Sequence, residues 1–370
     1  MTDEQKAVAE AWRIVDNNFI DRTFNNQDWF KVRQDVIKKK YKSMNEAQTE
    51  IETMVAGLGD KYTRYLPPAK YRSIVDAATG TLAGVGVEIT TNKDAGTIIV
   101  ADTEPTSPAS IGGIKKGDTF IEVDGVKFND GKSTPDDVAA RLRGPEGSKV
   151  GIVMERDGKV QDFILTRKPI TITSVRSYIS DKSGVGKVGV VRIKSFSGTT
   201  AQSVQEALND LKKKGAESFV LDVRGNPGGL LPGGTDTAAI FLEANKPLVF
   251  VVDKKGVQDN QMTYQDGSVL DEPLAIVVNG NTASAAEVMT AALKENQRAT
   301  IVGEKTFGKG IIQTIRQLGY ENGGVAVTVA RYETPLHNNI NKLGIAVDVK
   351  ADCSGEDAAV CVPNYVLQKK

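Results

Sequence analysis

The sequence has little histidine and cysteine: one histidine, His337, and two cysteines among 370 residues. A catalytic triad that depends on histidine would have to use His337, and a metal site with several histidine ligands is impossible. His337 lies in a polar stretch between strand-like segments, which favours a surface loop. Acid–base catalysis is therefore expected to use lysine, glutamate, aspartate or tyrosine. Neither a metal nor a cofactor is expected.

Long apolar runs and an excess of one charge are also lacking. No run approaches the roughly 18 apolar residues that span a bilayer, and the first residues show no signal-peptide pattern. Lys+Arg and Asp+Glu both number 47, so the formal net charge is zero and nothing favours a nucleic-acid partner. We expect a protein that does not span a membrane, located in the cytosol or in a compartment whose targeting segment has been removed.

The two cysteines, Cys353 and Cys361, lie eight residues apart near the end of the chain. Without nearby histidines or further cysteines they make a poor zinc site. In an oxidising compartment they could close a small disulfide loop, and in a reducing one they would be free thiols.

Periodicity divides the chain into four parts. Residues 1–78 show helical spacing of apolar positions, and residues 79–169 form short strand-like runs between turn residues. Residues 170–352 alternate strands with helices, which is typical of a layered α/β domain, and residues 353–370 form a C-terminal tail. The expected fold class is α/β (α+β layered), with a helical N-terminal region, an inserted β-rich domain and a layered α/β core.

Turn and cap signals within the β-rich part are specific. Asp124-Gly125 and Asp157-Gly158 predict two-residue β-hairpins. Ser133-Thr134 predicts a helix cap, and Pro135 suits the first helical position that follows it.

Ser284 lies in the segment PLAIVVNGNTASAAEVMTAALKEN, which predicts a buried strand ending at Val278 and a helix beginning near Thr282. Ser284 is thus expected in the first helical turn, just beyond the carboxyl end of a strand, where α/β proteins bind ligands. The helix start offers unpaired N–H groups, so the Ala285 N–H could stabilise an oxyanion. On this segment alone, Thr282 as a cap and Ser284 as a small helix residue explain the pattern more simply.

Lys309 lies between two glycines in GEKTFGKGIIQT. Burial would remove hydration from its ammonium and lower its pKa toward the range of a general base. Gln313, four residues later, would lie on the same side, and its amide oxygen could orient the lysine. Lys305 is a competing candidate in a more polar setting. A phosphate loop is disfavoured because the Lys-Ser/Thr ending is missing.

A third segment, FVLDVRGNPGGLLPGG, is a strand followed by a turn with paired glycines. Its exposed backbone N–H groups make Gly229 a candidate for a second oxyanion donor, with Gly228 as the alternative. In purely structural terms, NPGG is a tight turn.

Together, VRGNPGGL, NGNTASAAE and KTFGKGIIQT resemble, in order, the motifs of the carboxyl-terminal processing (tail-specific) protease family. Lys309 follows Ser284 by 25 residues, as the family pattern requires. GLGDKYTRYLPP resembles the motif before that family's PDZ domain, and GVGVEI with SPASIGGIKKGDTFIEVDG resembles the PDZ domain itself. The resemblance covers nearly the whole chain.

This resemblance implies a serine endopeptidase with a Ser–Lys pair. Ser284 would be the nucleophile, Lys309 the general base and Gln313 the residue that orients the lysine. The N–H groups of Gly229 and Ala285 would form the oxyanion hole. Such chemistry needs neither histidine nor metal.

The resemblance also implies a partner, the carboxyl-terminal tail of a protein substrate, held by the PDZ loop Gly84-Val85-Gly86-Val87. EAWRIVDNNFIDRTFNNQDWFKVR and VAVTVARYETP are similar to the branch that trims the photosystem II reaction-centre protein in thylakoid lumens. A photosystem II precursor substrate and a lumenal location follow as expectations, with the periplasm as the alternative location. Action at a membrane surface is compatible with both.

Two other functions are open on the residues alone. A peptide-binding scaffold with an inert hydrolase part would be expected to lack Ser284 or Lys309, and both are present. An acyl-CoA hydratase-like enzyme would need paired carboxylates near the oxyanion hole and would leave the PDZ-like part unexplained. A serine endopeptidase is therefore the predicted function.

Overall fold

The computed structural model describes residues 1–79, 83–92, 95–128, 133–170, 174–319, 322–355 and 357–368. The chain forms two compact units. The first combines Met1–Tyr65 with Ser174–Lys370, and the second is Leu66–Thr173. The mixed helix-and-sheet architecture confirms the predicted fold class.

The N-terminal part of the first unit is helical. Its elements are α1 (Asp3–Asn18), α2 (Trp29–Lys38), α3 (Met44–Ala56) and the short strand β1 (Arg64–Leu66). In α1, Val8, Ala11 and Val15 are fully buried at helical spacing and form one apolar stripe. The last helix of this part, α3, ends at Ala56, and Gly57 is its C-cap residue.

The second unit is built around an antiparallel sheet. Its elements are α4 (Pro68–Thr79), β2 (Ala83–Gly84), β3 (Val87–Thr91), β4 (Ile98–Thr103), α5 (Pro108–Ile111), β5 (Thr119–Val123), β6 (Val126–Lys127), α6 (Pro135–Leu142), β7 (Lys149–Arg156), β8 (Lys159–Thr166) and β9 (Lys168–Pro169). The strand order is β3-β4-β5-β7-β8, with β6 on β5, and β2 pairs with β9. Thr134 caps α6 and Pro135 follows it, as predicted.

Both predicted hairpins in this unit are confirmed. Asp124 and Gly125 have φ of 46° and 78°, and Asp157 and Gly158 have φ of 51° and 74°. Positive φ at both central residues is the requirement of a type I′ turn, whose twist matches that of the flanking strands.

The rest of the first unit alternates strands and helices. Its elements are β10 (Val175–Ser180), β11 (Val188–Ile193), α7 (Thr200–Lys213), β12 (Ser218–Asp222), α8 (Leu231–Ala239), β13 (Pro247–Asp253), β14 (Gly256–Met262), β15 (Leu274–Val278), α9 (Ala285–Glu295), β16 (Thr300–Gly303), β17 (Ile311–Gln317), β18 (Gly324–Glu333), β19 (Val349–Lys350), a 3₁₀ turn (Ala358–Cys361) and α10 (Asn364–Leu367). No helix in the described ranges is both long and apolar enough to cross a membrane.

Two sheets form in this unit. The first has the order β10-β11-β12-β15-β16-β19 and is parallel except for β10. The second has the order β1-β18-β13-β14, with β17 on β18. One face of the first sheet packs on buried side chains of α7, α8 and α9. Its other face packs on Ala358, Ala359, Val362 and Leu367, so the segment expected to be a tail packs against the sheet.

The sheet order places the three sequence motifs together. The strands β12, β15 and β16 are direct parallel neighbours, so their carboxyl ends lie at one edge. NPGG follows β12, NGNTASAAE follows β15 and the glycine-flanked lysine follows β16. This edge is where open α/β sheets bind ligands.

Candidate active site

Ser284 is the N-cap residue of α9, and the helix begins at Ala285. The prediction of a helix start near Thr282 was wrong, because the Thr282 hydroxyl donates to the carbonyl oxygen of Val223 at 2.8 Å instead of capping the helix. Ser284 has φ 57° and ψ −122°, a conformation that costs energy for any residue with a side chain. A serine on a sharp turn between a strand and a helix is typical of an exposed nucleophile.

Two backbone N–H groups in this region, those of Gly229 and Ala285, have no acceptor among the described residues. The Gly228 N–H donates to the Asn226 side-chain oxygen at 2.8 Å, so Gly229 alone of the two predicted candidates has an unused donor. The loop of residues 223–229, here called the oxyanion loop, touches the serine directly. A Cβ at Gly228 would lie 2.6 Å from Ser284 Cβ and 2.9 Å from the Ala285 nitrogen.

Lys309 is partly buried in the loop between β16 and β17. Burial lowers the pKa of its ammonium, and the positive charge of Arg64 lowers it further. Nζ lies 5.8 Å from the centroid of the Tyr62 ring. No hydrogen bond joins the side chains of Ser284 and Lys309 in the described structure, so the predicted contact is not formed in this conformation.

The glycines that flank the lysine allow a close approach of other backbone. A Cβ at Gly308 would lie 2.9 Å from the Gly344 nitrogen, and one at Gly310 would lie 2.6 Å from the Asn341 nitrogen. The Lys342 N–H donates to the carbonyl oxygen of Gly308 at 2.8 Å. The lysine loop therefore fits against the turn at 340–344 without room for larger residues.

Gln313 lies on β17 and donates from its amide nitrogen to the carbonyl oxygen of Tyr62 at 2.6 Å. No hydrogen bond links it to Lys309 among the described residues, so its orienting role stays a prediction. Lys305, the competing lysine, is exposed.

Glu287 is a site residue that the sequence reasoning missed. Its side chain is fully buried in α9, and both oxygens accept hydrogen bonds. Oε1 accepts from Thr306 Oγ1 (2.6 Å) and the Gly308 N–H (2.7 Å). Oε2 accepts from the N–H groups of Ser284 (2.9 Å) and Lys309 (2.8 Å). The carboxylate thus fixes the serine backbone to the lysine backbone. The Ser-x-x-Glu spacing of a capping box was the available signal.

His337, the single histidine, takes part in a different contact. Its ring stacks on Phe250 with centroids 4.0 Å apart, and Nδ1 lies 3.1 Å from Glu333 Oε2. The described residues contain no cluster of three or more His, Cys, Asp or Glu side chains suited to a metal ion.

In the second unit, the loop Gly84-Val85-Gly86-Val87 joins β2 to β3. The N–H groups of Val85 and Gly86 have no acceptor within the described ranges. Gly86 has φ 78°, and a Cβ there would lie 2.3 Å from Ser107 Cβ, so the position requires glycine. Because β3 is the outermost strand of its sheet, its free edge can accept an added strand.

Comparisons with known proteins identify the family of the chain. The family model for Peptidase family S41 matches residues 187–351, and that for the PDZ domain matches residues 74–155. The chain is 39% identical to the carboxyl-terminal-processing protease of Synechocystis sp., over 94% of this chain and 81% of the relative. It is 37% identical to the chloroplastic C-terminal processing peptidase of Tetradesmus obliquus, over 95% and 78%. The solved photosystem II D1 C-terminal processing protease superposes with a TM-score of 0.70 at 34% identity, covering 98% of this chain and 100% of that one.

The fold and the site define a serine peptidase that carries a PDZ domain. The chain belongs to peptidase family S41 and acts in carboxyl-terminal processing of proteins. The resemblance drawn from the three motifs and the predicted serine endopeptidase are thereby confirmed.

Proposed function

We propose that Ser284 and Lys309 are the catalytic pair of this peptidase and that the N–H groups of Gly229 and Ala285 are its oxyanion hole. One observation carries the proposal. Ser284 holds a costly backbone conformation, and two N–H donors close to it, those of Gly229 and Ala285, lack acceptors among the described residues. Strain of this kind is retained where it presents a reacting group, and free donors are what a developing oxyanion needs.

In the reaction, Ser284 Oγ attacks the carbonyl carbon of the scissile bond while Lys309 Nζ accepts the hydroxyl proton. The N–H groups of Gly229 and Ala285 stabilise the negative charge that develops on the carbonyl oxygen. The lysine then gives the proton to the leaving amine, and an acyl-enzyme remains. Water, deprotonated by the neutral lysine, then attacks the ester carbonyl. The lysine returns this proton to Ser284 Oγ as the ester C–O bond breaks, and a new carboxyl terminus is released.

Lys309 must be neutral to accept the proton, and its lowered pKa favours that form. Its side chain must also move from the Tyr62 ring to the serine hydroxyl, because the two are not hydrogen-bonded here. Catalytic hydrogen bonds commonly form only in the substrate complex. Gln313 suits the orienting role because its amide nitrogen is already used on Tyr62, which leaves its amide oxygen to accept from the lysine.

The test is turnover of a peptide substrate by single variants. Ser284→Ala and Lys309→Ala should each lose at least about a thousandfold in kcat, because they remove the nucleophile and the general base. Lys309→Arg should lose as much, since a guanidinium cannot release its proton. Lys305→Ala is the matched control, because it removes an exposed lysine from the same loop and should keep full activity. Near-normal turnover by Lys309→Arg would end the assignment of the general base.

We also propose that Gly84-Val85-Gly86-Val87 binds the terminal carboxylate of the substrate, with the tail added as a strand on the free edge of β3. The unused N–H groups of Val85 and Gly86 support this role. A substrate with an amidated carboxyl terminus should therefore show a raised KM at little changed kcat. Equal KM for the free and amidated peptides would refute the role of this loop.

We infer that the substrate is the precursor of the photosystem II reaction-centre protein and that the location is the thylakoid lumen. The relatives support both inferences. They include chloroplastic and cyanobacterial processing proteases, and the superposed structure is a D1 processing protease. The alternative location is the periplasm. Competition between a peptide from that precursor's tail and an unrelated tail of equal length tests the substrate. Preference for the precursor peptide is expected, and equal kcat/KM would contradict it.

A further inference from the structure

A disulfide joins Cys353 to Cys361, with their Cα atoms 5.4 Å apart. It closes a short segment that begins just beyond the carboxyl end of β19, here called the clasp (residues 353–361, of which 353–355 and 357–361 are described). The far end of the clasp is firmly held. Ala358 and Ala359 are fully buried, and Asp357 accepts from Ser180 Oγ at 2.7 Å and from Tyr178 Oη at 3.3 Å.

The near end of the clasp carries acceptors for one arginine. Arg224 Nη1 donates to the carbonyl oxygens of Cys353 and Gly355, the latter at 2.7 Å. The other side of the same guanidinium makes a bidentate pair with Asp222, through Nε at 2.8 Å and Nη2 at 2.7 Å. The arginine is thus fixed between the end of β12 and the clasp, and its side chain is only 12% exposed.

Arg224 also belongs to the oxyanion loop. Four residues later, Gly228 is in contact with Ser284, and Gly229 carries the unused N–H group. A displacement of this loop by a fraction of an ångström would move that donor away from the oxyanion position. Donor geometry at this point is worth a large factor in rate, because removal of one oxyanion donor costs about 10²–10³ in kcat.

We propose that Arg224 is a positioning residue of the oxyanion loop and that the disulfide-closed clasp holds it in place, so that reduction of Cys353–Cys361 lowers turnover. The inference rests on the oxyanion hole of the proposed function. The disulfide transmits the anchoring of the buried end, at 357–361, to the carbonyl groups at 353 and 355. A dithiol supplies the two electrons and two protons: the S–S bond breaks, Cys353 and Cys361 become thiols, and the dithiol becomes a disulfide.

The experiment is a double-mutant cycle on the full chain that measures kcat and KM. The kcat is expressed per molecule of serine that a phosphonate probe labels. Cys353→Ser with Cys361→Ser should lower kcat about tenfold and leave KM within about twofold, as a loss limited to the transition state requires. Arg224→Ala should lower kcat by more. In the Arg224→Ala background, removal of the cysteines should have no further effect on kcat, because the two changes act through one contact.

Reduction provides a second measurement without mutation. Dithiothreitol should lower kcat of the wild-type protein to that of the cysteine-free variant and should leave that variant unchanged. Val204→Ala is the control for simple destabilisation, since it opens a cavity where α7 packs into the core and should keep its kcat per labelled serine.

Unchanged kcat after complete reduction, or additive losses in the cycle, would overturn the proposal. If Ser284→Ala is inactive, either of these results overturns only the role of the clasp. If Ser284→Ala is active, the proposed function itself is overturned.

Discussion

Replacement of Glu287 by glutamine tests whether this buried carboxylate holds the serine and the lysine in register. Each oxygen accepts two hydrogen bonds, at 2.6 and 2.7 Å on Oε1 and at 2.9 and 2.8 Å on Oε2. Glutamine keeps the shape but puts an NH₂ group in the place of one oxygen. Two buried donors would then lack an acceptor.

The expected magnitude follows from these contacts. A buried donor without an acceptor costs about 1–3 kcal/mol, so two cost about 2–6 kcal/mol of folding free energy. The lower half of that range is expected, because the Thr306 hydroxyl can turn to accept from the new amide. A shift of about 1 Å between reacting groups costs about a hundredfold in rate, so kcat should fall by about that factor while KM changes little.

The assay combines urea unfolding with kinetics per labelled serine. Thr290→Val is the matched control on α9, since it removes one buried hydrogen bond (Thr290 Oγ1 to the Ala286 carbonyl oxygen, 2.7 Å) without touching the lysine loop. It should lose stability and retain kcat. If Glu287→Gln lost stability yet kept wild-type kcat, Glu287 would be only structural and the reasoning would be refuted.

Three further predictions follow from the site. Arg64→Gln removes a charge that lowers the pKa of Lys309, so that pKa should rise and the acidic limb of the kcat/KM profile should move to higher pH; an unchanged profile would count against it. Gly228→Ala should abolish peptide cleavage because its Cβ would meet Ser284, whereas Gly225→Ala, with positive φ but open space, should keep much of it. Ser284→Gly should be about 1–2 kcal/mol more stable than Ser284→Ala in urea unfolding, since glycine relieves the strain; equal stability would contradict it.

Features that depend on local backbone geometry were predictable from the sequence. The turns at Asp124-Gly125 and Asp157-Gly158 and the helix start at Thr134-Pro135 formed as expected, because these residues fix φ locally. The placement of three motifs at one sheet edge was also foreseeable, since each follows a strand in an alternating α/β pattern.

Contacts between distant parts of the chain were not predictable. The helix start at Ala285 depends on a hydrogen bond from Thr282 to Val223, 59 residues away. Gln313 bonds to Tyr62 across 251 residues. Helix patterning treats Glu287 as one polar residue in an apolar face, and only the folded loop at 306–309 supplies its donors.

The central claim, that Ser284 is a nucleophile activated by Lys309, is tested most directly by covalent labelling. A serine-reactive phosphonate should modify the intact protein once, at Ser284, as located by mass spectrometry of the digested chain. Lys309→Ala should be labelled at least about a hundredfold more slowly, because general-base assistance contributes about 10²–10⁴. Modification at another residue, or equal labelling rates for the wild-type protein and Lys309→Ala, would contradict the account.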